Sequence, residues 1–178
     1  MNEISASLVK RIRRTEYFES DKALEISQSQ DYVAASVASG RGRAWDEPRS
    51  GEIREVRLYK TGQISTRATL PRDGMGPILD REVLPKQFAE MLRLTGALGI
   101  RRGGRVIVAG GVPASSSLSV DTFDPYRSRT RAQLLGLGRT GGICRTEPDE
   151  SVSVAALEAG ADEVGRDLSR ALFGQLSA

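Results

Sequence analysis

Apolar side chains recur at helical spacing in two long stretches of the chain. The stretch from Leu84 to Leu98 follows Asp80, a residue type that favours a helix start, and precedes Gly99, which favours a helix stop. A second stripe of apolar residues runs from Leu157 to Leu176. These spacings predict two amphipathic helices, each with one face that must pack against another part of the protein.

The N-terminal residues also have a helical pattern. Ile4, Leu8 and Ile12 lie four residues apart, on one face of a short basic helix. A second helix is predicted over residues 16–37. The first part of the chain is therefore expected to be a helical arm.

A break in this pattern divides the chain. Glycine, proline and serine residues are frequent between residues 40 and 51, as is typical of a linker. The expected organisation is an N-terminal helical arm and linker over residues 1–50, followed by an α+β domain over residues 51–178.

Strand-like alternation begins after the linker. Apolar residues recur at strand spacing over 53–58 and again over 64–70. Between the two runs, Gly62 of the sequence Lys60-Thr61-Gly62 supplies the positive φ that a tight turn needs. The pattern predicts an antiparallel β-hairpin.

Shorter strand signals occupy the second half of the chain. The apolar run Val106–Val108 is typical of a short buried strand. Further strands are predicted over 115–120 and 128–137, joined by a turn at Asp124–Tyr126. The predicted fold is therefore α+β, with an antiparallel or mixed sheet of about five strands and two or three helices packed on it.

Composition narrows the classes of function. The chain of 178 residues contains no histidine and a single cysteine, Cys144. Histidine-dependent triads, imidazole metal sites, internal disulfides and cysteine zinc clusters are therefore excluded. We predict a protein that is not an enzyme, with no catalytic residue, no cofactor and no bound metal.

Two weaker chemical signals remain. Asp121 and Asp124 flank a loop and could bind a hard cation or act as acid and base, but turns also recruit aspartate for its hydrogen bonds to the backbone. Residues 136–141 match GxGxxG, without the preceding strand and following helix that a nucleotide site requires. The turn and loop interpretations are preferred.

Charge is unevenly distributed along the chain. Residues 101–145 carry eight arginines against two aspartates, a balance of +6, whereas residues 146–178 have a balance of −5. Arg127, Arg129 and Arg131 are expected on one face of a strand. That row either contacts phosphates or pairs with the acidic C-terminal helix, and the pairing is favoured. The candidate anion-binding or nucleic-acid-binding residues are Arg101, Arg102, Arg105, Arg127, Arg129 and Arg131.

The helix stripes are the candidate partner surfaces, because an amphipathic face can be shared with another chain. The function predicted first is therefore a non-catalytic protein-interaction or assembly domain, with a protein partner or a second copy of the chain as its ligand. The alternative is binding of nucleic acid or another anion. The candidate partner-binding residues are Ile4, Leu8, Ile12, Leu157, Val164, Leu168 and Leu172.

Location and source can also be predicted. An apolar run of roughly 18 residues and an export signal are both absent from the sequence, so a cytoplasmic location without membrane contact is expected. Only four of the 26 basic residues are lysines. This excess of arginine is interpreted as the bias of a GC-rich bacterial genome.

Five segments together resemble a known family. They are Val56–Gly62, Leu79–Leu84, Leu92–Ile100, Tyr126–Thr130 and Leu168–Phe173. Their order is similar to that in the C-terminal region of actinobacterial proteins that carry a Schlafen-type AlbA-like domain, and the resemblance covers about residues 50–176. In that family the AlbA-like domain, associated with nucleic-acid or nucleotide binding, precedes this region, and residues 1–50 do not match it. The resemblance implies an accessory, partner-contacting domain and assigns no functional residue.

Overall fold

The structure is a computed structural model. It describes residues 7, 10–12, 24–37, 53–99, 104–113, 117–127, 129–130, 143–146 and 151–176. The described residues near the N-terminus, Ser7 and 10–12, are helical.

The largest sheet has four antiparallel strands in the order of the chain. They are β1 (Leu24–Gln28), β2 (Tyr32–Val37), β3 (Ile53–Tyr59) and β4 (Ile64–Ala68). The predicted hairpin is confirmed as β3 and β4, and Gly62 has a φ of +83° in the turn between them.

The helix predicted over residues 16–37 is wrong for its described part. Residues 24–37 form β1 and β2 instead, with Val33, Ala35 and Val37 buried in the core beneath the sheet. These three residues alternate at strand spacing, and β2 pairs with β3 along its length. Pairing with a distant strand therefore overrides the local preference of this segment.

A smaller sheet mixes antiparallel and parallel pairing. Strand β5 (Arg72–Asp73) pairs antiparallel with β6 (Gly76–Leu79), and β6 pairs in parallel with β9 (Ser119–Val120). Of the strand predicted over residues 115–120, the last two residues are therefore confirmed as β9. Pairing to β9 brings residues near 120 beside residues near 75.

Two further strand pairs are antiparallel. Strand β7 (Arg105–Ile107) pairs with β11 (Ser151–Ser153), and β8 (Gly111–Pro113) pairs with β10 (Ile143–Arg145). The strand predicted at Val106–Val108 is thus confirmed for Val106 and Ile107, but its predicted burial is wrong, because Ile107 is 70% exposed. In the described part of the chain the strands are divided among four small sheets.

The long helix α1 (Val83–Ala97) confirms the central prediction. The Oδ1 atom of Asp80 accepts hydrogen bonds from the backbone N–H groups of Glu82 (2.7 Å) and Val83 (3.1 Å). Gly99 has a φ of +56° just after the helix. The N-cap residue is Glu82, two residues after Asp80, so the predicted start is off by two residues, whereas the predicted stop at Gly99 is confirmed.

The C-terminal stripe forms two consecutive helices, α2 (Val154–Ala159) and α3 (Ala161–Leu176). The Ser153 hydroxyl caps α2 by accepting a hydrogen bond from the Ala156 N–H (3.0 Å). With these helices the α+β class predicted from the sequence is confirmed.

Helix α1 lies at the centre of the structure. Leu94 and Leu98 pack beneath the four-stranded sheet, whereas Leu84 and Phe88 pack with residues of α3, and Leu92 packs with residues of α2. The helix therefore joins three apolar clusters into one core.

The contact between α1 and α3 is unusually close. A Cβ atom placed on Gly165 of α3 would lie 2.6 Å from the Pro85 carbonyl oxygen and 2.9 Å from the Ala89 nitrogen. Only glycine lets the two backbones approach to this distance. Glycine costs a helix about 1 kcal/mol relative to alanine, and at Gly165 this close contact accounts for its presence.

Candidate functional site

A groove of about 980 Å³ separates two strand regions. One wall is β4, the opposite wall is the segment 105–113, and side chains of α1 line the space between them. The two walls belong to different sheets and do not pair with each other. The groove is therefore a gap between the edge of the four-stranded sheet and the two strand pairs that contain β7 and β8.

The β4 wall is an open strand edge. Among the described residues β4 pairs with β3 alone. The Tyr59 N–H donates to the Gln63 carbonyl (2.9 Å), and peptide groups alternate in direction along an antiparallel strand. By this alternation the N–H and C=O groups of Ile64 and Thr66 point away from β3.

The opposite wall, residues 105–113, is hydrogen-bonded to other strands on the side away from the groove. Strands β7 and β8 of this segment pair with β11 and β10. Between them, Gly110 exchanges hydrogen bonds with Thr146, whose N–H donates to the Gly110 carbonyl (2.8 Å). The Gly110 N–H donates to the Thr146 hydroxyl (3.0 Å). This wall is therefore held independently of β4.

The surface of the groove is largely apolar. Phe88, Met91 and Leu92 of α1 line it. At its rim Ile107 and Ile143 are 70% and 68% exposed, more than the other large aliphatic side chains of the described residues. Exposed aliphatic side chains beside an apolar groove are typical of a surface that receives a partner.

The polar side chains of α1 in the groove bond within the protein. The Gln87 side-chain amide donates to the Thr69 carbonyl (2.9 Å), and the Thr95 hydroxyl donates to the Met91 carbonyl (2.8 Å). These two side chains of α1 therefore already have partners within the protein.

The charged side chains that line the groove are both cationic. They are Arg67 and Arg105, and the described lining contains no carboxylate. The Arg67 side chain is 64% exposed and lies 3.5 Å from a Glu55 carboxylate oxygen. The Arg105 guanidinium donates to the Ser151 hydroxyl (2.7 Å) and carbonyl, and no carboxylate of the described residues is paired with it. The groove therefore favours an anionic ligand.

A buried ion pair fixes another part of the chain. Arg129 Nε lies 2.8 Å from Asp73 Oδ2, and Arg129 Nη2 lies 2.9 Å from Asp73 Oδ1. The side chains of Arg129 and Asp73 are only 10% and 1% exposed. The Arg129 N–H also donates to Asp73 (2.9 Å), and the Ser119 hydroxyl accepts from the guanidinium. This pair clamps residues 129–130 onto β5 and β9.

The ion pair shifts the pKa values of both Asp73 and Arg129. Hydrogen bonds from Arg129 hold the pKa of Asp73 well below its ordinary value of 3.8. The same bonds raise the pKa of Arg129. Both groups therefore stay charged throughout the neutral range.

The predicted arginine row is wrong for its described members. Arg127 is an exposed residue after the turn, whereas the Arg129 side chain is only 10% exposed, and residues 127, 129 and 130 do not form a strand. The favoured pairing with the C-terminal helix is wrong for Arg129, since Asp73 holds it. Arg101, Arg102 and Arg131 lie outside the described residues.

The acidic C-terminal helix has other partners. Asp162 accepts a hydrogen bond from Arg93, and Asp167 lies 2.8 Å from Arg170 of the same helix. In the loop, the Asp124 carboxylate accepts from the Tyr126 N–H (2.8 Å), which confirms its role in a turn. Asp121 lies 3.6 Å from Arg129.

Most predicted partner-binding residues face inward. Ile12, Leu157 and Leu172 are at most 3% exposed, and Val164 and Leu168 pack against buried clusters. The prediction that these stripes form an outer partner surface is wrong for the three buried residues, because the chain covers them itself. Ile4 and Leu8 lie outside the described residues, as does the glycine string at 136–141.

The single cysteine lacks the features of a reactive thiol. Burial raises the pKa of Cys144, and its Sγ donates to the Gln175 side-chain oxygen (3.6 Å). Within the described ranges no group of three or more acidic or cysteine side chains is arranged to hold a metal ion. None of the described helices has the length and apolar character needed to span a membrane.

Compared with protein-family models, curated proteins and solved structures, the chain gives no match. The resemblance to the region that accompanies Schlafen-type AlbA-like domains therefore stays a prediction from the sequence. Function has to be argued from the groove, which sequence patterns did not identify.

Proposed function

We propose that the protein is a non-catalytic interaction domain that binds an extended segment of a partner protein in the groove. The segment adds a strand to the free edge of β4. The observation that carries this proposal is the open β4 edge, which faces a second strand region across an apolar gap. Addition of a strand to a sheet edge is a recurrent mode of peptide recognition.

The backbone of β4 supplies the first set of contacts. Its outward peptide groups at Ile64 and Thr66 match the hydrogen-bonding period of an incoming strand. Exposed strand edges are usually blocked by proline, lysine or a bulge. Strand β4 contains neither proline nor lysine, and the register shift with β3 lies at its far end, near Ala68.

The apolar lining supplies the second set. Side chains of an extended segment alternate between its two faces. One set would therefore contact Phe88, Met91 and Leu92, and the other set would point away from α1. A segment of about five residues, roughly 17 Å long, matches the length of β4.

Charge defines the chemistry of the partner. Arg67 and Arg105 line the groove, and no carboxylate is among its described lining residues. Acidic side chains on the segment would complement these guanidinium groups. The proposed ligand is therefore an extended segment in which apolar residues alternate with acidic ones.

A proline substitution on β4 tests the proposal. Thr66→Pro removes an N–H that points away from β3, so the pairing between β3 and β4 is retained. The probe is a fluorescently labelled heptapeptide of alternating glutamate and valine, measured by anisotropy. We expect saturable binding that Thr66→Pro weakens about tenfold or more, because a main-chain hydrogen bond is lost and the ring obstructs the edge.

Two controls make the test specific. Thr66→Val keeps the N–H and should bind the peptide as the unchanged protein does. A peptide of the same composition with its glutamates and valines in separate blocks should bind weakly. Equal binding of both peptides, or no effect of Thr66→Pro in a protein whose circular dichroism melt is unchanged, would contradict the proposal.

The same variant distinguishes a separate partner from a second copy. Light scattering of the unchanged protein should show no dimer that depends on β4. A dimer that Thr66→Pro converts to a monomer would make another copy of the chain the occupant and would overturn the assignment to a separate partner.

A further inference from the structure

A second cleft, of about 480 Å³, lies between the start of α1 and one face of α3. Arg81 precedes α1, while Arg166 and Arg170 lie four residues apart on α3. All three arginines line this cleft, and no carboxylate is among its described lining residues. Three arginines, one before α1 and two on α3, therefore line a single cleft.

Arg81 stacks on an aromatic ring of α3. Its guanidinium carbon lies 4.4 Å from the centre of the Phe173 ring, a cation–π contact. Among the described residues no carboxylate is bonded to Arg81. The ring contacts the flat face of the guanidinium. The N–H groups lie in the guanidinium plane, at its edges, so this contact leaves them available for a ligand.

The two arginines of α3 have weak competing contacts. The Nε atom of Arg166 donates to the backbone carbonyl of Asp162 (3.3 Å). Arg170 lies 2.8 Å from Asp167, and the two side chains are 79% and 62% exposed. Solvent-exposed ion pairs of this kind contribute little to stability, so a ligand can replace the contact at low cost.

A serine also lines this cleft. Ser169 is 3% exposed and lies between Arg166 and Arg170 in the sequence of α3. A hydroxyl can donate to an anionic oxygen while guanidinium groups contact the others. The cleft therefore offers several donors around one small volume.

We infer that this cleft binds a phosphomonoester group. A phosphomonoester carries close to two negative charges and three strong acceptor oxygens. Guanidinium groups bind such oxygens in pairs. This site is separate from the groove beside β4 and does not depend on the function proposed for it.

The flanking charges favour a compact anion over a nucleic-acid strand. Asp162, Glu163 and Asp167 are exposed on α3. A long phosphodiester backbone would pass close to these carboxylates and be repelled, whereas a single phosphate group can remain inside the cleft.

Titration with inorganic phosphate at low salt tests this site. Binding is followed by the NMR signals of the arginine Nε–Hε groups. We expect saturable shifts at the cleft arginines. The double variant Arg81→Gln with Arg166→Gln should weaken phosphate binding by about tenfold or more, because two charge-assisted contacts are lost. The matched control is Lys86→Gln, an exposed position of α1 outside the cleft lining.

Additional binding measurements identify the kind of molecule that carries the phosphate group. A phosphoserine heptapeptide that binds more tightly than inorganic phosphate would indicate a phosphorylated protein, and equal affinity would indicate a small phosphorylated molecule. Three results would overturn the inference: no saturable shift, an equal loss in Lys86→Gln, or a preference for short single-stranded DNA over both probes.

Discussion

The two sides of α1 differ in how the chain covers them. Toward α3 the helix presents Pro85 and Ala89, and Gly165 brings the two backbones so close that no side chain fits between them. Toward the groove it presents Met91 and Thr95, beside a volume of about 980 Å³. Around Gly165 the first side is closed by backbone and small residues, whereas Met91 on the second side has space in front of it. A continuous apolar stripe therefore need not be an entirely internal one.

Three arginines show a similar difference between an enclosed and an open environment. Arg129 is enclosed with Asp73, and its charge serves to hold the chain together. Arg67 and Arg105 line the open groove without being enclosed by a carboxylate. Burial and partners, more than residue type, thus distinguish a structural arginine from one that is available to a ligand.

The largest expected effect comes from breaking the enclosed ion pair. Asp73→Asn leaves the Arg129 charge buried without its carboxylate, and should lower the free energy of unfolding by about 3–5 kcal/mol. The measurement is urea denaturation followed by circular dichroism. The matched control is Asp167→Asn at the exposed pair with Arg170, where the change should stay within about 0.5 kcal/mol.

The ion pair also predicts a direction of pH dependence. The pKa of Asp73 in the folded protein lies below its ordinary value of 3.8. As the pH falls, Asp73 therefore binds a proton in the unfolded chain before it does so in the folded protein. The stabilisation from the ion pair is complete above about pH 5 and is lost as the pH falls through the folded pKa. Asp73→Asn should remove up to about 1.4 kcal/mol per pH unit from the acid slope of stability. An unchanged slope would show that other groups govern acid unfolding.

A smaller effect is expected where α1 and α3 meet. Gly165→Ala should destabilise the protein by about 2 kcal/mol, because the backbone of Pro85 and Ala89 must move to admit the added methyl group. Gly174→Ala on the same helix is the control, since its Cβ would meet nothing within 4 Å. It should stabilise the protein by about 0.5–1 kcal/mol through helix propensity. Thermal melts of both variants measure the contrast, and a stabilising Gly165→Ala would disprove the close contact.

Local signals account for what the sequence predicted correctly. Asp80 and Gly99 bracket α1, and Gly62 supplies the turn of the hairpin, because each acts through neighbouring residues of the chain. Ser153 acts in the same way on α2. Such elements can be read from a single sequence since their determinants lie within a few residues.

Distant pairing accounts for what the sequence did not predict. Arg129 and Asp73 are 56 residues apart, so no local pattern marks them as partners. Strand β2 forms because the distant strand β3 pairs with it, and β1 in turn pairs with β2. Periodicity identifies the apolar stripe of α1 but not which part of it the chain leaves uncovered, and the groove was missed for that reason.

The smallest effect on stability should occur at the groove, where α1 is left partly uncovered. Ile107 lies on the groove rim and is 70% exposed, so Ile107→Ser removes little buried surface and should change the free energy of unfolding by at most about 0.5 kcal/mol. By contrast, Leu172→Ala at a fully buried site should cost about 2–5 kcal/mol. If the groove holds an extended segment, Ile107→Ser should nevertheless weaken binding of the alternating glutamate and valine peptide severalfold, because an apolar contact at the rim is lost. Loss of stability without loss of binding would place Ile107 in the core of the fold and remove it from the groove.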